Sequence, residues 1–140
     1  MNSTTIPSRL RAHGRFNGPA AAASLLEVEN ALSQPLPLQL KSLLAGADGF
    51  LLNDGIKLYS LAELSERNAT LEIRKYMPGY LAIGDNSGSM AFVLSLAPHD
   101  LKVYRVAFGV MMEEYLRVVA CDLGTWIQSQ CLDGDDEALD

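Results

Sequence analysis

The stretch that most constrains the fold runs from Met77 to Leu96, where two apolar runs flank the polar pentapeptide Gly84–Gly88. Leucine, isoleucine, phenylalanine and valine in the flanking runs suit a half-buried pleated surface. Glycine, aspartate, asparagine and serine accept the backbone angles and side-chain hydrogen bonds of a chain reversal. The pattern therefore predicts a β-hairpin with strands over residues 79–83 and 89–96. We expect the rest of the chain to supply the helices that cover this sheet.

Two helices are predicted ahead of the hairpin. The first begins near residue 17, ends near residue 33 and places Leu25, Val28 and Leu32 on one face. The second runs from about residue 37 to residue 45, since a proline suits a first helical turn. The leucines that it offers to the core are Leu40, Leu43 and Leu44.

A third helix is predicted between these elements and the hairpin. Ser60 and Glu63 have the spacing of a capping box, in which each side chain accepts a hydrogen bond from the other residue's backbone N–H. This signal predicts a helix over residues 61–75, preceded by a short strand over residues 56–59. After the hairpin, residues 102–106 alternate between apolar and polar, as expected of a half-buried antiparallel strand.

The C-terminal third is less constrained by its pattern. For residues 108–120 a strand, an extended loop and the start of a long helix all stay open, because short apolar runs do not separate these states. Asp122 is the predicted N-cap of a helix over residues 122–132. The two cysteines, Cys121 and Cys131, are too few for a disulfide framework and fit no usual zinc or redox spacing, so buried thiols are expected.

Length and composition favour one globular domain. The chain has 140 residues, of which 49% are hydrophobic. Its elements predict an α+β fold with one central antiparallel or mixed sheet covered by about four helices. No window approaches the roughly 18–20 consecutive apolar residues of a membrane span, and the first residues lack the apolar core of a secretory signal. We therefore expect a cytoplasmic protein without a membrane-spanning segment.

The net charge of −6 is unevenly distributed. Residues 1–17 carry three arginines and no acid, and we expect them to form a basic, flexible N-terminal arm. Residues 133–140 carry five acidic residues and are expected to form a solvated acidic tail, which leaves residues 18–132 as the domain. An acidic body repels phosphate backbones and attracts basic proteins, so nucleic acid is not an expected partner.

The loop Gly84–Ser89 has the composition of a ligand-binding loop, but known types of site fit it poorly. A phosphate-binding P-loop needs a lysine that is absent here, and it opens a helix instead of joining two strands. An EF-hand starting at Asp85 would place Leu96 where the bidentate glutamate belongs. The two histidines, His13 and His99, lie beside no recognisable nucleophile-bearing turn. No catalytic site, metal or cofactor is therefore predicted.

The sequence Met-Met-Glu-Glu at residues 111–114 allows a functional and a structural interpretation. The adjacent methionines are either adaptable contacts at a partner surface or core-filling side chains, and core packing is the expectation. The adjacent glutamates point in different directions in regular structure, which disfavours an acid–base pair.

Several short motifs follow one another at characteristic spacings. They are Leu26–Leu32, Leu36-Pro37, Leu43-Leu44, Asp48-Gly49, Leu58–Leu64, Asn68, and Leu81–Asp85 followed by Gly88. In this order they resemble the SMI1/KNR4, or SUKH, family, with its two opening helices, its turn, its strand and helix, and its Ile-Gly-Asp hairpin. The resemblance covers about residues 20–132 and implies a mixed α/β domain that works through protein contacts.

Bacterial members of the family are typically immunity proteins, so the resemblance implies neutralisation of a toxin by steric and electrostatic occlusion. The acidic body fits a basic toxin domain such as a nuclease, because complementary fields speed association. The candidate contact residues are acids expected in turns or at the ends of elements, namely Asp48, Asp54, Asp85, Asp100, Glu113 and Glu114.

Two alternatives stay open. The same fold occurs in eukaryotic regulatory scaffold proteins, which keep a binding role with a different partner. A small ligand-binding or enzymatic domain would instead use the loop Gly84–Ser89, and it requires a concave pocket with convergent polar groups behind that loop.

Overall fold

The chain folds around one seven-stranded antiparallel sheet, seen in a computed structural model that describes residues 6–129. The strand order in the sheet follows the order in the chain. The strands are β1 (Gly14–Phe16), β2 (Phe50–Leu52), β3 (Lys57–Leu58), β4 (Tyr80–Asp85), β5 (Met90–Ser95), β6 (Val103–Ala107) and β7 (Arg117–Ala120). Within the described range the α-helices are α1 (Ser8–Arg11), α2 (Ala22–Leu32), α3 (Leu38–Gly46), α4 (Leu61–Thr70), α5 (Ile73–Tyr76) and α6 (Leu123–Gln128). The predicted α+β fold is confirmed, with more helices than expected.

The predicted hairpin is confirmed as β4 and β5, which pair with a β-bulge just before Gly84. The side chain of Asn86 holds its turn, because Oδ1 accepts hydrogen bonds from the backbone N–H groups of Gly88 (2.9 Å) and Met90 (3.1 Å). A Cβ at Gly84 would overlap the carbonyl oxygen of Lys57 on β3. The glycine of the Ile-Gly-Asp motif therefore permits the close approach of β3 and β4.

The side chain of Asn68 completes the edge of β4 where no strand lies beside it. Strand β3 ends at Leu58, opposite Gly84, so Ala82 lies beyond the reach of its ladder. Asn68 on α4 is buried, and its Nδ2 donates to the carbonyl of Ala82 while its Oδ1 accepts from the N–H of Ala82, both at 2.8 Å. Nδ2 also donates to the carbonyl of Leu64 at 2.8 Å. One amide thus pairs with the sheet as a strand residue would and ties α4 to it.

The N-terminal segment differs from the expected flexible arm. Ile6 and Leu10 are buried, and β1 pairs with β2 along the edge of the sheet. Arg9 donates to the backbone carbonyl of Gln128 at 2.7 Å, which connects the segment to the end of α6. Leu10 lies in α1 and Ile6 lies just ahead of its N-cap, Pro7, and the burial of this apolar pair offsets the basic composition around it. Residues 1–5 lie outside the described range.

Two predicted helices have other limits in the structure. The first begins at Ala22 and not near residue 17. The helix predicted over residues 61–75 is divided into α4 and α5, because Glu72 adopts the left-handed conformation with a φ of 53°. The capping box is confirmed: Ser60 Oγ accepts from the N–H of Glu63 at 3.2 Å, and Glu63 Oε1 accepts from the N–H of Ser60 at 3.0 Å.

The C-terminal helix is shorter than predicted. Asp122 is confirmed as its N-cap, since Oδ1 accepts from the N–H of Thr125 at 2.7 Å, and the helix ends at Gln128. The expected burial of Cys121 is wrong, because its thiol is free and exposed beside this cap. Cys131 and the acidic segment 133–140 lie outside the described residues.

The core joins the sheet to the helices on its faces. Trp126 on α6 packs against Phe92 on β5 with ring centroids 5.0 Å apart, and both side chains are fully buried. The three leucines predicted for the core face of α3 are buried as well. No helix in the described part of the chain is long and apolar enough to cross a membrane.

We expect Asn68→Leu to lower the free energy of unfolding by about 2–4 kcal/mol, because it leaves the N–H and C=O of Ala82 buried without partners. Chemical denaturation in urea measures the change. Asn30→Ala, at an exposed asparagine on α2, is the matched control and should change the stability by less than about 0.5 kcal/mol. Equal stability of Asn68→Leu and wild type would show that the amide is not needed at this edge.

Candidate partner-binding surface

The connection between β6 and β7 is an irregular segment with two short 3₁₀ turns, Phe108–Val110 and Glu113–Tyr115. The alternatives left open for residues 108–120 are thereby resolved: residues 108–116 form an irregular loop, and residues 117–120 form β7. Phe108, Met111 and Leu116 are partly buried and pack against the core. These three anchors hold the segment in place.

Several side chains between the anchors, and Val118 just after the last of them, are exposed. Val110, Met112, Tyr115 and Val118 are each between 41% and 49% exposed, and Glu113 and Glu114 lie among them, also exposed. We call these six residues the β6–β7 surface. Met112 thus contradicts the expectation that both methionines fill the core, whereas Met111 meets it in part. Exposed apolar groups interleaved with charge are a feature of binding surfaces on folded proteins.

Two tyrosines connect this surface to the hairpin. Tyr80 on β4 and Tyr104 on β6 pack edge to face, with ring centroids 6.1 Å apart and planes at 86°. The hydroxyl of Tyr80 donates to Glu113 Oε2 at 3.2 Å, and that of Tyr104 donates to Asp100 Oδ2 at 2.7 Å. The rings therefore orient two carboxylates from two different loops.

The titration of these groups follows from their surroundings. Burial, together with the hydrogen bond to Asp100, raises the pKa of Tyr104 to about 12. Burial and the hydrogen bond to Glu113 also raise the pKa of Tyr80. Burial by itself would raise the pKa of Asp100, but the hydrogen bonds from Tyr104 and from the N–H of Lys102 outweigh it and hold that pKa below its usual value. At neutral pH the tyrosines are donors and Asp100 is a carboxylate.

Three of the six predicted contact acids come to this side of the molecule, and three do not. Asp100 and Glu113 are linked through the tyrosine pair, and Glu114 follows Glu113. The other three lie elsewhere: Asp48 just ahead of β2, Asp54 between β2 and β3, and Asp85 at the end of β4.

The acids of that second group accept hydrogen bonds from within the protein. Asp48 Oδ1 accepts from the N–H of Leu61 at 2.7 Å, at the start of α4. Asp85 Oδ2 accepts from the buried hydroxyl of Tyr59 at 2.7 Å. Asp54 Oδ1 accepts from the N–H of Ile56 at 3.1 Å, and Asp54 is the exposed member of this group. For Asp48 and Asp85, these hydrogen bonds explain why an acidic residue occupies the position, and no contact with a partner protein is needed.

The tyrosines and the exposed apolar residues were not predicted from the sequence. Tyr104 lies in the alternating stretch predicted as a strand, but alternation alone does not show which carboxylate its hydroxyl meets. The signal that was available is the apolar run from Phe108 to Ala120, whose pattern did not decide between helix, strand and loop.

A groove adjoins Tyr80. It has a volume of about 360 Å³ and is lined mostly by apolar side chains, among them Leu32, Leu36, Ile73, Leu81 and Leu96. Its lining does not include the loop Gly84–Ser89. Within residues 6–129 no group of three or more His, Cys, Asp or Glu side chains is arranged to hold a metal ion.

The model of the SMI1/KNR4 family (SUKH-1) matches residues 19–129. The chain belongs to the SMI1/KNR4 family. The match begins ahead of α2 and ends after α6, so it includes the hairpin, the tyrosine pair and the β6–β7 surface, and it confirms the resemblance inferred from the motifs. In this SMI1/KNR4 chain, α1 and β1 lie ahead of the matched range. No curated protein matches the sequence.

We expect Asp100→Asn to lower the free energy of unfolding at pH 7 by about 1 kcal/mol, because a charged hydrogen bond from Tyr104 becomes a neutral one. The pKa of Asp100 is lower in the folded state than in the unfolded state, so this difference is present above the unfolded value of about 3.9. It should disappear as the pH falls through the folded pKa. Urea denaturation from pH 7 to pH 2 tests this, with Glu114→Gln as a control, and a constant difference across the range would contradict it.

Proposed function

We propose that this SMI1/KNR4 protein is a non-catalytic protein-binding module, and that it acts as an immunity protein which occludes a cognate bacterial toxin. The observation that carries the proposal is the β6–β7 surface, where four exposed apolar side chains flank two exposed glutamates along the chain. Interfaces commonly combine an apolar centre with polar groups around it. The anchors beneath the segment reduce the entropy lost when a partner orders it.

Charge supports a basic partner. The chain carries a net charge of −6, and Glu113 and Glu114 lie on the surface itself, while Asp100 lies next to it through the tyrosine pair. An acidic patch attracts a protein that carries a positive patch, and it repels nucleic acid. A toxin whose active site binds a phosphate backbone, such as a nuclease domain, presents a positive patch of this kind. Covering that patch would block substrate access without any chemistry by the immunity protein.

The loop Gly84–Ser89 gives less support to a small-ligand or enzymatic function. Its side-chain acceptors are used within the protein, since Asp85 accepts from Tyr59 and Asn86 accepts from Gly88 and Met90. Ser87 Oγ donates to the carbonyl of Gly55 at 2.6 Å. These bonds join the hairpin turn to the neighbouring turn. A scaffold function with another partner would use the same β6–β7 surface, so the partner's identity is the point to test.

The test is co-expression with the product of a neighbouring polymorphic-toxin gene, followed by pull-down and titration. Wild type should restore growth and form a complex. Glu113→Lys/Glu114→Lys should weaken binding by about 10- to 100-fold, because it places like charges against a basic partner. The matched control, Glu27→Lys/Glu72→Lys, makes the same change of net charge at exposed glutamates of α2 and of the residue before α5.

Two results would contradict the proposal. The first is equal weakening by both double variants, which would show a net-charge effect and no specific surface. The second is wild type that neither restores growth nor binds the toxin. Melting temperatures with nucleotides and with common divalent metals serve as a check, since a rise of several degrees at micromolar ligand would favour the small-ligand alternative.

A further inference from the structure

Two arginines face each other across the last two strands. Arg105 on β6 pairs with Arg117 on β7, so both side chains lie on the same face of the sheet. Like charges directly opposite on neighbouring strands are destabilising. Among the described residues the three ion pairs involve Lys41, Lys57 and Lys102, and neither arginine takes part.

Arg105 in addition has a buried donor without an acceptor. Its Nε atom is buried and has no hydrogen-bond partner among residues 6–129, while Nη1 approaches the sulfur of Met90 at 3.9 Å. A buried N–H without an acceptor costs about 1–3 kcal/mol. The planar guanidinium, with Nε and one Nη side by side, matches the two oxygens of a carboxylate. Within residues 6–129 neither guanidinium of the pair has an ion-pair partner.

The described chain ends on this same face of the sheet. Phe92 lies opposite Arg105 on β5, and the ring of Phe92 packs against Trp126 of α6. Three residues after Trp126 the described range stops at Ser129. Beyond it the sequence continues to Asp133, Asp135, Asp136 and Glu137. An extended chain covers about 3.3 Å per residue, so residues four to eight beyond Ser129 can reach about 13–26 Å. Neighbouring strands are about 5 Å apart, so this reach corresponds to a distance of about three to five strands across the sheet.

We infer that the Arg105–Arg117 pair is a carboxylate-binding site, and that its occupant is the acidic segment 133–137 of the same chain. The tether keeps these carboxylates at an effective concentration in the millimolar range. A separate acidic protein has no such tether, and it is repelled by the net charge of −6. Docking supplies Nε of Arg105 with an acceptor and reduces the repulsion between β6 and β7. This inference does not depend on the proposed function.

The experiment uses the ¹⁵N-labelled full chain and follows the side-chain Nε–H signals of Arg105 and Arg117, assigned through Arg105→Lys and Arg117→Lys. The test variant is Asp135→Asn/Asp136→Asn/Glu137→Gln. The control is Glu27→Gln/Glu66→Gln/Glu72→Gln, which removes the same charge at exposed glutamates on α2, on α4 and before α5. Both Nε–H signals should shift in the test variant and stay unchanged in the control, and added salt should reproduce the shift in wild type.

Three outcomes would overturn the inference. Unchanged Arg105 and Arg117 signals in the test variant would show that the acidic segment does not reach the pair. A shift confined to Arg9, which lies at the end of α6 through its bond to Gln128, would assign the segment to a different cation. A shift in wild type on dilution would show that the carboxylates come from a second copy of the chain.

Discussion

The pairing of the Asn68 amide with the backbone of Ala82 is the contact on which the arrangement of this domain depends. A sheet edge that is buried without hydrogen-bond partners is costly, and β3 is too short to cover the whole of β4. The amide supplies one acceptor and one donor to Ala82 in the geometry of a ladder, and it binds Leu64 of its own helix as well. Helix α4 can therefore take the place of a strand beside β4.

The hairpin held in this way positions the surface that carries the proposed function. Strand β4 begins with Tyr80, whose ring packs against Tyr104 and whose hydroxyl orients Glu113. The irregular segment between β6 and β7 is thereby fixed at its acidic centre as well as at its apolar anchors. Val110 and Tyr115 remain exposed beside the anchors that pack against the core. The sheet and its helices provide stability, and the irregular segment provides the surface proposed for recognition.

The sequence predicted those features whose causes are local. The hairpin follows from its turn residues, and the start of α4 follows from the reciprocal bonds of Ser60 and Glu63. The break at Glu72 was not predictable, since no glycine or proline marks the left-handed residue. The site was predicted only in part, because the link from Asp100 to Glu113 passes through side chains of two strands that are distant in sequence. The family resemblance supplied the fold, but it did not show which acids would meet.

Native-state hydrogen exchange of the Ala82 amide measures directly whether Asn68 closes the edge of the sheet. If the side chain pairs as described, this amide should exchange only through global unfolding, at the same free energy as the amides at the centre of β5. Exchange of Ala82 through a much smaller opening free energy, with β5 still protected, would contradict it. Helix α4 would then lie against the sheet without completing it, and the frame beneath the β6–β7 surface would not be rigid.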